Sequence, residues 1–172
     1  EMRQFGDFTI RLLESKHAPV KPGGEGPWFS GTIDEPLWQP ASVNAWKQGV
    51  VWSVFIGHPR GTTLIQGSGG FVEGKLHGET ADVVMLGIAR LEGLGKEYVT
   101  TFWNETVPAT GATRVIPVHY DDYTAPFGEV RLFPDFVDNI VVTTGWIDQI
   151  LQETGSDVTI ELPPFGQPIP LY

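Results

Sequence analysis

The sequence predicts a single domain of the α/β class, and three features support this prediction. Two short apolar runs, 82–87 and 114–118, enclose a segment with helical spacing over 95–110. A strand, a helix and a second strand in that order form a βαβ unit, whose strands are parallel neighbours. The 172 residues suffice for one sizeable core, and no internal repeat or linker divides residues 1–172.

The N-terminal part contains three further predicted strands. Residues 8–14 alternate between apolar and polar side chains, as a half-buried strand does. Residues 50–57 and 62–66 are apolar runs separated by residues 58–61. This spacing predicts a β-hairpin with a four-residue loop.

The C-terminal part contains a second helix and a last strand. Apolar residues fall on one stripe over 143–153, which predicts a helix. Thr143 or Thr144 is the expected N-terminal cap, and Gly155 is expected to end the helix. Residues 158–162 read as a short strand.

Residues 18–49 form a long loop with no convincing period. A loop of this length inside a compact domain is usually functional or disordered, and disordered segments are poor in aromatic residues. This one contains Trp28, Phe29, Trp38 and Trp46. We therefore expect an ordered, aromatic-rich flap with a functional role. Equally, the tryptophans could serve only to pin the loop to the core.

The composition excludes several classes of protein. A net charge of −10, from 11 basic and 21 acidic residues without any basic run, argues against binding to nucleic acid or anionic membranes. No apolar stretch approaches the ~20 residues of a transmembrane helix. The absence of cysteine excludes disulfides and thiolate metal sites. No signal peptide is visible. The chain opens on Glu1, which suggests a processed or truncated product. The sequence therefore does not indicate the cellular compartment.

Two histidines stand at strand ends, where α/β proteins place their ligands. His17 follows the strand over 8–14, and His119 directly follows the strand over 114–118. Alone, either histidine is more often structural than a ligand. Two together in a cysteine-free α/β protein favour a metal site, because neutral imidazole is the commonest metal ligand. We expect His58 to be a solvated turn residue and assign no role to His77.

Four segments, taken in order, carry a resemblance to a known family: 8–17, 64–68, 82–87 and 115–122. The most specific part is the ending His119-Tyr120-Asp121-Asp122 after an Ile-Pro strand. The pattern resembles the second half of a metallo-β-lactamase-fold hydrolase. This resemblance implies an αββα sandwich with metals at one edge between two sheets, of which this chain supplies the C-terminal half.

The resemblance implies that His17 and His119 are metal ligands, and it places Ser68 at the position of the family's bridging aspartate. Two departures from the family pattern follow. The family's His-x-His-x-Asp-His loop is absent, and Ser68 is a neutral, poor ligand. A catalytic zinc site needs three protein ligands, so this chain alone is not expected to be a competent metallohydrolase.

Two hypotheses resolve this shortage of ligands. In the first, a second polypeptide carries the His-x-His-x-Asp-His motif and completes a site for one or two divalent ions, expected to be zinc. A metal-bound water then attacks a small ester, lactone, amide or phosphodiester substrate. Because Ser68 replaces a carboxylate, we expect one ion, or a second held weakly. In the second hypothesis, the chain is a non-catalytic, degenerate relative that acts as a binding or interaction module.

The remaining candidates lie beside the histidines and in the flap. Asp121 and Asp122 follow His119 directly, and either could orient an imidazole or a bound water during catalysis. A solvated turn or a helix cap is an equally good interpretation of the two aspartates. The candidates for contacts with the substrate are Ser68, Tyr120, Trp28 and Trp38.

Overall fold

The computed structural model of the protein describes residues 2–24 and 26–172. Within these residues, seven strands form one sheet and are ordered in space as they are in the chain. The strands are β1 Met2–Phe5, β2 Phe8–Ser15, β3 Val51–His58, β4 Gly61–Gln66, β5 Val83–Gly87, β6 Arg114–Val118 and β7 Thr159–Ile160. The helices are α1 Lys96–Thr110 and α2 Ile140–Thr154. No helix in the described part of the chain is long and apolar enough to cross a membrane.

The predicted βαβ unit is confirmed. Strands β5 and β6 pair in parallel, with Val84 opposite Val115, and α1 connects them. Gly111 ends α1 in the left-handed conformation, which a residue without a Cβ adopts at little cost. The helix turns its predicted apolar face inward, and its buried residues are Val99, Phe102, Trp103, Thr106, Val107 and Thr110.

Both helices contribute to one core on a single face of the sheet. Phe55, Leu64, Val84 and Val115 lie on this face in register, because they pair across β3, β4, β5 and β6. Side chains of both helices belong to the same buried cluster, including Phe102, Trp103, Ile147 and Ile150. The fold is therefore a mixed α/β sheet with its helical layer on one side.

The opposite face of the sheet carries a second apolar row. Its members pair in register across five strands, and they are Leu12, Val54, Ile65, Met85 and Ile116. The C-terminal tail lies across part of this face. There the Tyr172 hydroxyl is 2.6 Å from Oγ1 of Thr63, and Arg114 donates to the carbonyls of Pro170 and Leu171. We call this surface the outer face.

The β-hairpin is confirmed, but the prediction of a four-residue loop is wrong. His58 pairs with Gly61, so only Pro59 and Arg60 connect the strands. The ring of His58 packs 5.0 Å from the ring of Phe8, and its Nδ1 accepts the backbone N–H of Arg60 at 3.2 Å. The pairing of β3 with β4 extends beyond their apolar residues, because backbone hydrogen bonds do not depend on the polarity of the side chains.

Helix α2 begins earlier than predicted. Its first residue is Ile140, and Oδ1 of Asn139 accepts the backbone N–H of Val142 at 3.2 Å. Asn139 is therefore the cap, and the prediction of Thr143 or Thr144 is wrong. The helix begins about one turn before residue 143, where it was predicted to start. The true cap therefore lies outside the predicted segment.

The end of α2 and the last strand follow the sequence more closely. Gly155 closes α2 in the left-handed conformation, with φ 60°, as predicted. The last strand is shorter than the predicted span 158–162, because β7 pairs with β6 only through Thr159 and Ile160.

Residues 18–49 contain, in their described part, a single short 3-10 turn at Val43–Ala45 and no longer element. Two backbone hydrogen bonds of 2.9 Å, from Gln48 to Phe29 and from Gly49 to Gly31, join the C-terminal end of the loop to its middle. All three of its tryptophans are exposed, with relative exposures of 70% for Trp28, 85% for Trp38 and 52% for Trp46. These side chains therefore do not pin the loop to the core.

Candidate functional site

Four strands end at the same edge of the sheet. Strand β2 runs parallel to β4 because both are antiparallel to β3, while β4, β5 and β6 are mutually parallel. Their carboxyl ends therefore meet, and this is where α/β proteins bind ligands. The segments that follow these strands contain His17, Ser68, Arg90 and His119.

A cavity of about 250 Å³ opens at this edge. Its lining includes the residues that follow the strands, His17, Ser68, Arg90, Glu92 and His119, together with Trp28, Phe29 and Gln48 from the long loop. The structure thus brings four of the predicted site residues, His17, Ser68, His119 and Trp28, to one cavity.

Hydrogen bonds around Ala18 hold His17 and Ser68 together. Nδ1 of His17 lies 2.8 Å from the carbonyl oxygen of Ala18. A carbonyl can only accept, so Nδ1 is the donor, and in a neutral imidazole Nε2 then has the free lone pair. This is the arrangement that proteins use to orient ligating histidines. The Ser68 hydroxyl accepts the backbone N–H of the same Ala18 at 3.0 Å.

His119 stands where the chain leaves β6. Its φ of 57° lies in the left-handed region, which non-glycine residues adopt at a cost of about 1–2 kcal/mol. Its ring lies 6.3 Å from the ring of Tyr123. This strained backbone conformation turns the chain away from the direction of β6 at the edge of the cavity.

A buried glutamine holds the glycine-rich turn that follows β4. Gln66 is 1% exposed, and its Nε2 donates to Ser15 Oγ at 3.0 Å and to the Gly70 carbonyl at 2.6 Å. Its Oε1 accepts from Ser53 Oγ at 2.5 Å. A Cβ on Gly70 would lie 2.3 Å from the carbonyl oxygen of Lys16. Glycine is therefore required here by the close approach of the segment that carries His17.

Arg90 connects the flap to the loop after β5. Its guanidinium carbon lies 5.8 Å from the centroid of the Trp28 ring, within cation–π range. Its φ of 56° is another left-handed non-glycine conformation at the cavity edge. Arg90 was not among the residues predicted from the sequence, although it follows a parallel strand as His119 does.

Near Glu92 lies a buried aspartate, Asp138, that was not predicted from the sequence. Asp138 is 3% exposed, and burial raises its pKa to about 6. The nearby backbone of Arg90 lowers this pKa, while the carboxylate of Glu92 raises it. No sequence signal separates Asp138 from the other acids of its polar loop.

Asp122 closes a turn and does not line the cavity. Its Oδ1 accepts the backbone N–H and the hydroxyl of Thr124, and its Oδ2 accepts from Nε of Arg131 at 2.9 Å. The Thr124 hydroxyl, followed by the Thr124 N–H and Arg131, holds the pKa of Asp122 below its usual range against the opposing effect of burial. These contacts match the turn interpretation of this residue.

Three other predicted site residues also lie outside the cavity lining. Asp121 forms an isolated bridge with Leu132. Tyr120 packs against the hydrophobic core, and Trp38 is 85% exposed. None of these three side chains is among the residues that line the cavity with the two histidines.

The cavity does not contain a complete metal site. Across residues 2–24 and 26–172, no group of three or more His, Asp or Glu side chains is arranged to hold a metal ion. The possible ligands in the cavity lining are two imidazoles, the Glu92 carboxylate and the Ser68 hydroxyl, which already accepts a hydrogen bond from Ala18, and they are not grouped around one point. A catalytic zinc site has three protein ligands, so the residues present do not suffice.

The fold and the cavity define a mixed α/β protein with two histidines at the carboxyl edge of its sheet. No protein-family model matches the chain, and no curated protein matches it. Among solved structures, it is similar to the metallo-β-lactamase fold protein YhfI from Bacillus subtilis, with 11% sequence identity and a TM-score of 0.49. The match covers 96% of this chain and 51% of that chain, so this chain spans about half the length of the solved protein.

Proposed function

We propose that this chain is part of a metal-dependent hydrolase of the metallo-β-lactamase superfamily. Its substrate would be a small ester, lactone, amide or phosphodiester. The observation that carries the proposal is that His17 and His119, a hundred residues apart in the chain, line one cavity together with Ser68. His17 is already oriented as a ligating histidine, because its Nδ1 proton is bound to the Ala18 carbonyl.

The proposal requires a second polypeptide. This chain supplies two imidazoles, one fewer than the smallest catalytic zinc site needs. The missing ligands would come from a partner that carries the His-x-His-x-Asp-His motif, and imidazole-rich sites suit zinc. This chain's own part is to place two histidines at the sheet edge and to form the apolar wall of the pocket with Trp28 and Phe29.

The total exposed surface of the chain supports the presence of a partner. A compact monomer of 18.9 kDa exposes about 8,300 Å². The chain exposes 10705 Å², an excess of about 2,400 Å². Each partner in a large obligate interface buries about 1,000–2,500 Å². The apolar row Leu12, Val54, Ile65 and Met85 is half-buried and in register, as a surface that packs on a second sheet would be.

The first test is a native mass spectrum of the protein purified under native conditions, followed by the intact masses after denaturation. We expect a second polypeptide together with one or two metal ions. A lone, metal-free chain of 18.9 kDa would contradict the proposal.

The second test uses the four histidines, of which two serve as controls. During a Zn²⁺ titration followed by NMR of the histidine rings, His17 and His119 should shift together. His58, which packs on Phe8, and His77, which lies 3.6 Å from Glu105, should not shift. His17→Ala should weaken Zn²⁺ binding ~10-fold or more, and His58→Ala should leave it unchanged. An equal response of all four rings would contradict the site.

A binding or interaction module is the second candidate function. The observation that favours it is the lack of a three-ligand group in the described chain, together with Ser68 in place of a carboxylate. A chelator separates the two functions. A module binds its ligand equally well in EDTA, whereas a metal-dependent hydrolase loses turnover.

A further inference from the structure

An arginine stands between the candidate site residues at the cavity edge. Strand β5 lies between β4 and β6, so Arg90, which follows β5, is placed between Ser68 after β4 and His119 after β6. The segments after β5 and β6 leave the sheet side by side, because the N–H of Ile88 donates to the carbonyl of Val118 at 3.1 Å. Arg90 therefore lines the same cavity as both histidines.

The guanidinium of Arg90 differs from those of the arginines that are paired with carboxylates. The ion pairs of these arginines are Arg11 with Glu79, Arg114 with Glu161 and Arg131 with Asp122. None of the ion pairs among residues 2–24 and 26–172 involves Arg90. Its guanidinium instead lies 5.8 Å from the ring of Trp28. A cation–π contact uses the charge and none of the five N–H donors, so these donors can bind a ligand in the cavity.

The backbone of Arg90 is strained. Its φ of 56° is a conformation that glycine adopts freely and that other residues adopt at a cost. Strained residues cluster at sites that bind ligands. His119, with φ 57°, has the same strain on the neighbouring segment. A ligand that binds the side chain of Arg90 would explain why a long cationic residue occupies a position that suits glycine.

The rest of the cavity lining indicates the chemistry of this ligand. Among the described lining residues, Arg90 is the cation and Glu92 the acid, and no ion pair joins the two. Trp28 and Phe29 form an apolar wall. A planar guanidinium binds one carboxylate through two parallel hydrogen bonds. One positive charge, in a chain of net charge −10, suits a singly charged carboxylate better than a phosphate dianion.

We propose that Arg90 binds the carboxylate of a ligand whose apolar part contacts Trp28 and Phe29. In the hydrolase proposed above, the substrate is then an ester, lactone or amide that carries a carboxylate. Arg90 holds this carboxylate while the reacting group lies towards His17 and His119. The carboxylate site rests on the cavity alone, whereas its role in hydrolysis rests on the proposed function.

The first test is a titration of the protein, purified under native conditions, with phenylacetate and with its neutral analogue phenylacetamide. NMR of the indole N–H groups follows binding, with Trp28 as the reporter and Trp38, which is 85% exposed, as the control. Phenylacetate should shift the Trp28 signal, leave the Trp38 signal unchanged and bind ~10-fold or more tightly than phenylacetamide, because only the carboxylate forms charge-assisted hydrogen bonds. Equal affinities would overturn the proposal. Inorganic phosphate that binds more tightly than phenylacetate would overturn the assignment to a carboxylate.

The second test uses Arg90→Gly, which removes the side chain where glycine is unstrained. The thermal midpoint should therefore be unchanged or higher, while phenylacetate binding should weaken ~10-fold or more. Arg90→Lys should recover part of the affinity, because an ammonium keeps the charge but lacks the planar fork. Arg60→Gly is the matched control, since Arg60 lies in the hairpin turn and outside the cavity lining. Unchanged binding in Arg90→Gly, or an equal loss in Arg60→Gly, would overturn the proposal.

A repeat of both titrations in EDTA separates this proposal from the hydrolase. Binding through Arg90 should persist in EDTA, because the site needs no metal, and binding that disappears would show that a metal holds the carboxylate and would overturn the proposal. A metal-free single chain that binds phenylacetate through Arg90 would overturn only the hydrolase proposal. A metal-bound complex whose affinity for phenylacetate does not depend on Arg90 would overturn only the carboxylate site.

Discussion

At the scale of single residues, Gln66 determines where the segment with His17 lies. Its amide binds the hydroxyls of Ser15 and Ser53 and the carbonyl of Gly70, so one side chain joins β2, β3 and the turn after β4. Buried polar groups stabilise only when all their hydrogen bonds are made. Gln66 meets this condition, because both its amide oxygen and its amide nitrogen are hydrogen-bonded.

We predict that Gln66→Leu destabilises the protein by about 2–4 kcal/mol, because it leaves several buried partners unpaired at ~1–3 kcal/mol each. The free energy of unfolding from urea denaturation measures this loss. Gln152→Leu is the matched control, since Gln152 is exposed on α2 and bonds only Asp148 one turn away. Its effect should stay within about 0.5 kcal/mol. Equal effects would show that the Gln66 contacts contribute nothing.

A second residue-scale prediction concerns Asp122. Its pKa is lowered in the folded protein, so its ionised form stabilises the fold above its ordinary pKa, and this stability is lost as the pH falls through the folded pKa. Asp122→Asn should therefore unfold more easily than the parent at pH 7, and the difference should shrink at pH 2–3. Denaturation at both pH values checks this. A ~10-fold loss of Zn²⁺ affinity with unchanged stability would instead support the hypothesis that Asp122 orients an imidazole or a bound water.

At the scale of elements, strand direction and helix starts position the site. Parallel strands bring Ser68, Arg90 and His119 to one edge, and the cap of α2 places Asp138 beside Glu92. Elements that are far apart in the chain thus meet through their ends. Two substitutions test this, one at the start of a helix and one in the turn that follows a strand.

Asn139→Ala should cost about 1 kcal/mol, because it removes the side-chain acceptor for the N–H of Val142. Thr144→Ala is the control, since its hydroxyl only bonds back to the carbonyls of Ile140 and Val141 in the preceding turn of the helix. Its effect should stay within about 0.5 kcal/mol. Thermal unfolding measures both, and a larger loss for Thr144→Ala would restore the cap that the sequence predicted.

Gly70→Ala should destabilise by about 1–3 kcal/mol and displace the ring of His17, because the added Cβ would lie 2.3 Å from Lys16 O and 2.4 Å from His17 O. Gly67→Ala in the same turn is the control, since nothing lies within 4 Å of its Cβ. Unfolding free energy and the NMR signals of the His17 ring measure the two effects. If Gly70→Ala and Gly67→Ala had the same effects, the turn would be able to move away from the neighbouring segment freely.

At the scale of the whole molecule, the dependence of stability on pH reports the buried carboxyl group of Asp138. The pKa of Asp138 is raised to about 6, so the folded state binds a proton more tightly than the unfolded state, and stability falls as the pH rises from about 4 to about 6. Asp138→Asn should therefore be more stable than the parent at pH 7–8, with the advantage disappearing below pH 4. Urea denaturation across this range measures the difference. A variant that is less stable than the parent at pH 7 would show that other groups in the folded protein compensate the charge of Asp138.

Periodicity in the sequence determined the βαβ unit, the hairpin and the position of both histidines after their strands. It did so because apolar spacing reports which face of an element is buried, and because parallel strands end at one edge. Only the tertiary structure decided that Asp122 closes a turn, that Asn139 caps α2 and that Trp38 stays exposed. It also decided that Gln66, Arg90, Glu92 and Asp138 belong to the site or its support. These roles depend on contacts between segments far apart in the chain, such as Gln66 with Ser15 and Glu92 with Asp138, and local spacing carries no information about such contacts.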